Sequence, residues 1–147
     1  MKIYVLNGPN LNLLGLRQPD LYGKESYADL LALLDRTAKE LGVELVTKQS
    51  NHEGDLVDWI AEAYDTGADA ILINPAAYSH TSIAIYDALL SVGLPVAEVH
   101  LTNPDAREDF RKIDYVAKIA TYRICGKGQA GYVEALRLLA KHYENQN

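Results

Sequence analysis

The chain has 147 residues, 48% of them hydrophobic and 23% charged, with 20 acidic against 14 basic side chains and a net charge of −6 at pH 7. That size suits one domain able to bury roughly two thirds of its unfolded surface, and the charge balance, without a basic cluster, argues against a nucleic-acid partner, whose phosphates need grouped Lys and Arg. No apolar run approaches the ~20 residues that span a bilayer, and the chain opens on a strand pattern rather than a signal peptide, so we expect a cytoplasmic protein with no membrane partner.

Lys2 to Leu6 reads as a short buried strand. The segment Asn7 to Gly23 that follows spends five Gly/Pro and three Asn on one loop, and a strand ending in a polar loop is where open α/β sheets place ligand sites. Within it stand Arg17 and Tyr22. An ordinary tyrosine has a pKa of about 10, so holding half of it as phenolate at pH 7 requires a depression of roughly 3 units, or about 4 kcal/mol. One nearby cation supplies about 1 to 3 of those units. The alternative is that the loop is only a rigid turn and Tyr22 covers the edge of the core.

Leu30, Leu31, Leu34, Ala38 and Leu41 recur at helical spacing after a cap at Ser26, and Gly42 stops that helix. Val43 to Thr47 forms a second strand, leading through Gln49-Ser50-Asn51-His52-Glu53-Gly54 to a helix with Leu56, Trp59, Ile60 and Ala63 that ends at Gly67. His52, at the start of this helix, either closes the loop or takes part in chemistry. Asp69 to Asn74 lacks polar alternation, which predicts a central strand covered on both faces.

A loop from Pro75 to His80 precedes a helix from about Thr81 to Ser91, on which Asp87 reads as a solvated residue. After the stop at Gly93-Leu94-Pro95 comes a fourth strand, Val96 to His100, then a polar segment with Arg107 and Arg111. Ile119 to Cys125 reads as strand five. A terminal helix follows with Tyr132, Leu136, Leu139 and Tyr143 inside and His142 exposed. The alternation predicts a parallel sheet with helices on both faces: a flavodoxin-like three-layer sandwich of strand order 2-1-3-4-5, one domain over residues 1–147.

In such a sheet the strands' carboxyl ends share one edge, which gathers Asn10, Arg17 and Tyr22 with Asn74 and His80, and with His100, Arg107 and Arg111. Glu98 alternates with His100, so it shares a face and can orient the imidazole and raise its pKa. The structural alternatives are a histidine that merely caps its strand and a buried ion pair without a task. Gly126-Lys127-Gly128-Gln129-Ala130-Gly131 fits a dinucleotide fingerprint, but that motif belongs to the first βα unit and needs a later strand with an acidic residue. Its expected job is a tight turn with close helix packing. A non-enzymatic nucleotide- or flavin-binding module is the rival reading. Cys125 reads as a small apolar strand residue, and the four histidines lack zinc-site spacing, so neither metal nor cofactor is expected.

Asn7-Gly8-Pro9-Asn10-Leu11-Asn12-Leu13-Leu14-Gly15 with Arg17, Pro19, Tyr22 and Gly23, then Gln49 to Gly54, Asn74-Pro75, His80-Thr81-Ser82, Glu98-Val99-His100 and Phe110-Arg111 together resemble type II 3-dehydroquinate dehydratases over the whole chain. The resemblance implies cofactor-free loss of water from 3-dehydroquinate to give 3-dehydroshikimate, in the shikimate pathway, by a homododecamer built as a tetramer of trimers. It implies Tyr22 as base, Arg17 as its phenolate-stabilising cation, Asn10 as holder of an enolate-stabilising water, and His100, oriented by Glu98, as acid. Asn74, His80 and Arg111 match substrate-holding positions, joined by the backbone amides of Leu101 and Thr102. Asp87 matches a residue that reaches a neighbouring subunit's site, and Arg107 belongs to the site's rim. Gln18, Tyr86, Thr102 and Asp114 depart from the commonest pattern, where Glu, Arg, Ser and Ser are frequent.

Overall fold

The computed structural model describes residues 1–16 and 18–147, with Tyr22 described in its backbone alone. Its elements are β1 (Lys2–Asn7), α1 (Pro19–Tyr22), α2 (Tyr27–Leu41), β2 (Glu44–Gln49), α3 (Glu53–Asp65), β3 (Ala70–Asn74), α4 (Ile83–Val92), β4 (Val96–His100), β5 (Tyr122–Cys125) and α5 (Ala130–Gln146). All strand pairs are parallel, in the order β2-β1-β3-β4-β5, which is the flavodoxin-like arrangement.

Alternation along the strands divides the apolar residues between two cores. Ile3, Val5, Leu72 and Val99 pack against α2 and α5 through Leu30, Leu34, Leu136 and Leu139. Tyr4, Leu6, Ile71 and Ile73 face α3 and α4 through Leu56, Ile60, Ile85 and Leu89. All five residues of β3 are buried, as its unbroken apolar run requires. Ser26 opens α2 with a reciprocal cap, its hydroxyl accepting from the Asp29 amide at 3.0 Å while the Asp29 carboxylate accepts from the Ser26 amide at 2.9 Å.

Gly8 lets the first loop turn across the end of β3. Its amide donates to the Asn74 carbonyl at 2.8 Å, and a Cβ there would lie 2.6 Å from the Pro75 carbonyl oxygen. Gly131 brings α5 near β5, less tightly, since a Cβ would meet Ile124 Cγ2 at 3.2 Å. The glycine-rich turn therefore has the close-packing geometry expected of it.

The fifth strand begins at Tyr122 rather than Ile119, because residues 116–120 bury their apolar side chains through a 3-10 turn, Val116–Lys118, instead of pairing with β4. The Pro75 to His80 loop contains a 3-10 turn, Ala76–His80, and α4 starts at Ile83 because the Ser82 hydroxyl caps it. His142 is half-buried rather than exposed, its Nδ1 lying 3.1 Å from the Tyr122 hydroxyl with the two rings edge to face. Among the described residues, no helix is long and apolar enough to cross a membrane.

Candidate active site

A cavity opens where β1, β3 and β4 end, lined by Asn10, Asn74, His80, His100, Leu101, Thr102, Arg107 and Arg111 among others. The expected convergence at the carboxyl edge of the sheet is thus present for these residues. Arg17 lies outside the described residues, as does the side chain of Tyr22; the Tyr22 backbone closes α1 just beyond the first loop. Asp87 is exposed on α4, and His52 is the exposed N-cap of α3; neither lines the cavity.

The floor is a buried polar network. Tyr132 on α5 is fully buried; its hydroxyl donates to Asn7 Oδ1 at 2.7 Å and accepts from Asn74 Nδ2 at 2.9 Å. Burial pushes the phenol's pKa well above its ordinary value. Asn74 Oδ1 accepts from the Ala76 amide at 3.1 Å, holding Ala76 at φ 51°, in the left-handed region that alanine avoids. Asn74 is therefore presented to the cavity in one orientation. Sequence periodicity identifies Tyr132 as a core residue but not its bonds to two strand-terminal asparagines, which depend on how α5 crosses the sheet.

One wall is the first loop, fastened by the motif after β2. Gln49 Nε2 donates to the Gly8 carbonyl at 3.1 Å and to Asn51 Oδ1 at 3.2 Å, and the same Asn51 oxygen accepts from the Asn10 amide at 3.0 Å. Asn10 sits at φ 68°, a conformation asparagine tolerates better than most residues. The Tyr78 hydroxyl closes this strap by donating to the Asn51 carbonyl at 2.6 Å.

The opposite wall carries the cations. Arg111 Nε donates to Glu108 Oε2 at 2.6 Å, and Arg107 Nε is 3.8 Å from the same oxygen. A bond to its own backbone and the Arg111 guanidinium hold the Glu108 carboxyl below the usual carboxylate range. His80 Nδ1 lies 2.7 Å from the Ile113 carbonyl, which can only accept. Nδ1 is therefore the donor in this contact.

His100 is the most constrained group. It is buried, with Nε2 at 2.7 Å from Glu98 Oε2 and 3.4 Å from Asp114 Oδ2. Burial alone would lower the imidazole pKa, but the hydrogen bonds and charges of Asp114 and Glu98 outweigh it and raise it to about 9. Glu98 is pushed up to about 7, chiefly by burial, which the His100 contact only partly offsets. Burial acts upward on Asp114 too, yet its contacts with His100 and Glu98 take its carboxyl well below the usual range. Arg123 pairs with Glu98 across β4 and β5 in register; its Nε is 3.0 Å from Asp114 Oδ2 and 3.4 Å from Glu98 Oε1.

Glu98, His100 and Asp114 bring three possible metal-ligand atoms within 4.8 Å of one another, a grouping that histidine spacing does not reveal. The Arg123 guanidinium supplies a fixed positive charge to both carboxylates, so the set is organised as an ionic cluster around an imidazolium. Arg123 and Asp114 were not site candidates on sequence. An arginine within an apolar strand pattern was the available signal for Arg123. Cys125 ends β5 half-buried, its thiol raised by burial to about 11, which fits a packing residue rather than a nucleophile.

The family model described as Dehydroquinase class II matches residues 1–140. A 3-dehydroquinate dehydratase of Phenylobacterium zucineum is 56% identical over 142 residues, covering 95% of this chain and 97% of its own length. The crystal structure of a type II dehydroquinase from Butyrivibrio crossotus superposes with a TM-score of 0.93 at 46% identity, covering 95% of this chain and 97% of that one. The type II dehydroquinase from Propionibacterium acnes gives 0.90 at 44% identity, with 95% and 96% covered.

Proposed function

The chain belongs to the class II dehydroquinase family, and from that premise we propose how its residues divide the work of dehydrating 3-dehydroquinate to 3-dehydroshikimate. The observation that carries the reading is a single cavity in which His100, held by Glu98, faces a space shared with Asn10, Asn74, His80 and Arg111.

Tyr22, as a phenolate that Arg17 stabilises, removes the proton next to the substrate ketone, and the electron pair passes to the carbonyl oxygen as an enolate. Asn10 holds the water that stabilises this charge. His100 then donates a proton to the leaving hydroxyl as the enolate collapses, so the products are the conjugated enone and water. Because Nε2 of His100 is engaged by carboxylates, Nδ1 delivers that proton. Two groups of different pKa thus serve as base and acid, and neither needs a cofactor.

Arg111 binds the substrate carboxylate through its terminal nitrogens, since its Nε is committed to Glu108. Asn74 and His80 hold ring hydroxyls, and the amides of Leu101 and Thr102 complete the carboxylate site. The carbonyls of those two residues accept from Gly128 and Gly126 at 3.0 and 3.1 Å, which fixes the turn that carries the amides. Arg107 forms the rim. Asp87 reaches the site of a neighbouring subunit within a trimer, and four trimers form a dodecamer in the cytoplasm, each chain acting as one catalytic domain.

Adding 3-dehydroquinate to purified, metal-stripped protein should raise ultraviolet absorbance as the enone forms. A flat trace from folded protein that carries a co-purified nucleotide or flavin would instead favour the binding-module reading.

A further inference from the structure

Asp114 lies outside the strand that carries the site, in the segment entering the Val116–Lys118 turn, yet it is buried. Its two oxygens have separate tasks. Oδ1 accepts from the Ala117 amide at 3.0 Å and caps the turn. Oδ2 stands 3.4 Å from His100 Nε2 and accepts from Arg123 Nε at 3.0 Å. A turn cap alone requires neither burial beside an imidazole nor an arginine.

We propose that Asp114 is a second positioning residue for His100, acting with Glu98 on the same ring nitrogen, and that Arg123 tunes this pair by balancing its charge. The inference rests on the reading of His100 as the acid. Any swing of the imidazole that withdrew Nε2 would lose both carboxylates together, so the ring is fixed with Nδ1 left for the substrate. Charge counting points the same way. Arg123 balances one of the two carboxylates and the imidazolium the other, so a neutral His100 leaves uncompensated negative charge in a buried cluster. The acid therefore stays loaded into the alkaline range. The charged and titratable groups around it are Glu98 on β4, Arg123 and Cys125 on β5, Asp114 itself, and Asp105, which reaches Arg123 Nη1 at 3.4 Å. His80, Arg107 and Arg111 share the cavity on its open side.

The test is kcat against pH at saturating 3-dehydroquinate for the wild type and the variants Asp114→Asn, Arg123→Gln and His100→Asn. Asp114→Asn keeps an oxygen for the Ala117 amide but loses the charge, and should move the alkaline limb down by about 1 pH unit, the low end of what one neighbouring charge supplies. Arg123→Gln should move it up, because the cluster holds its proton more tightly without the guanidinium. A merely structural role predicts lower kcat at every pH with the limb in place. An unmoved limb in Asp114→Asn, or both variants shifting in the same direction, would overturn the proposal. Should Asp114→Asn not fold, Arg123→Gln decides alone: an upward shift supports the role, and no shift or a downward one rejects it. If His100→Asn keeps the wild-type limb in its residual rate, the acid reading itself fails. If that variant abolishes the limb while Asp114→Asn leaves it in place, only the role of Asp114 fails.

Discussion

Single side chains here are shaped by competition between burial and charge. His100 is buried, which disfavours its charged form, yet the adjoining carboxylates bring it to about 9. Its folded value lies above the ordinary 6.5, so its contribution to stability is complete below that value and is lost as pH rises through about 9. Glu98 adds to the same trend at lower pH: its folded value of about 7 exceeds the ordinary 4.5, so the folded state loses stability as pH rises through that interval. Thermal midpoints should therefore fall between pH 6 and pH 9, roughly, and the upper part of that slope should vanish in His100→Asn. A wild-type midpoint that does not change over this range would contradict the assignment. The role proposed for Arg111 is in binding rather than chemistry. Arg111→Ala should raise KM by about tenfold or more while kcat changes little, as expected when a charge-assisted contact made equally in ground and transition states is removed. An unaltered KM would remove Arg111 from the carboxylate site.

At the scale of elements, the site depends on contacts between segments distant in sequence. Tyr132 on α5 bonds to Asn7 at the end of β1 and Asn74 at the end of β3, so one hydroxyl joins a helix to two adjacent interior strands. Tyr132→Phe fills the same space but strands two buried amide groups; it should destabilise the fold by about 1 to 3 kcal/mol, read as a lower denaturation midpoint. A midpoint within error of wild type would show that water satisfies those groups. The elements themselves were legible because hydrophobic periodicity, the Ser26 cap and the unbroken run of β3 are local signals. The onset of β5 was not, since Ile119 and Ala120 are apolar whether they pair in a strand or pack beneath a turn. Nor was the Tyr132 network, whose members lie 58 and 125 residues apart.

For the whole molecule, the alternation of strands and helices makes the sheet parallel, and the observed order sets the ends of β1, β3 and β4 side by side, with Asn10, Asn74, His80, His100 and Arg111 around them. This much of the site was legible because a parallel sheet places all its strands' carboxyl ends together. The ionic cluster behind His100 was less so: Asp114 reaches it from an irregular segment whose path no periodicity specifies, and Arg123 only through the register of β4 with β5. The proposed role of Asp87, which is exposed on α4 and away from its own cavity, needs a neighbouring subunit, and the proposed assembly is a dodecamer. Light scattering should give a mass near twelve times the 16.2 kDa chain; a monomeric mass with full activity would remove Asp87 from the site.

The most direct test of the division between base and acid is the kcat of Tyr22→Phe with 3-dehydroquinate, measured on protein whose thermal midpoint matches the wild type. A phenyl ring keeps the volume and loses the ionisable oxygen, so the rate should fall by at least about 100-fold, the lower bound for losing a general base. A rate above a hundredth of wild type would contradict Tyr22 as the base and leave the proton abstraction to another group.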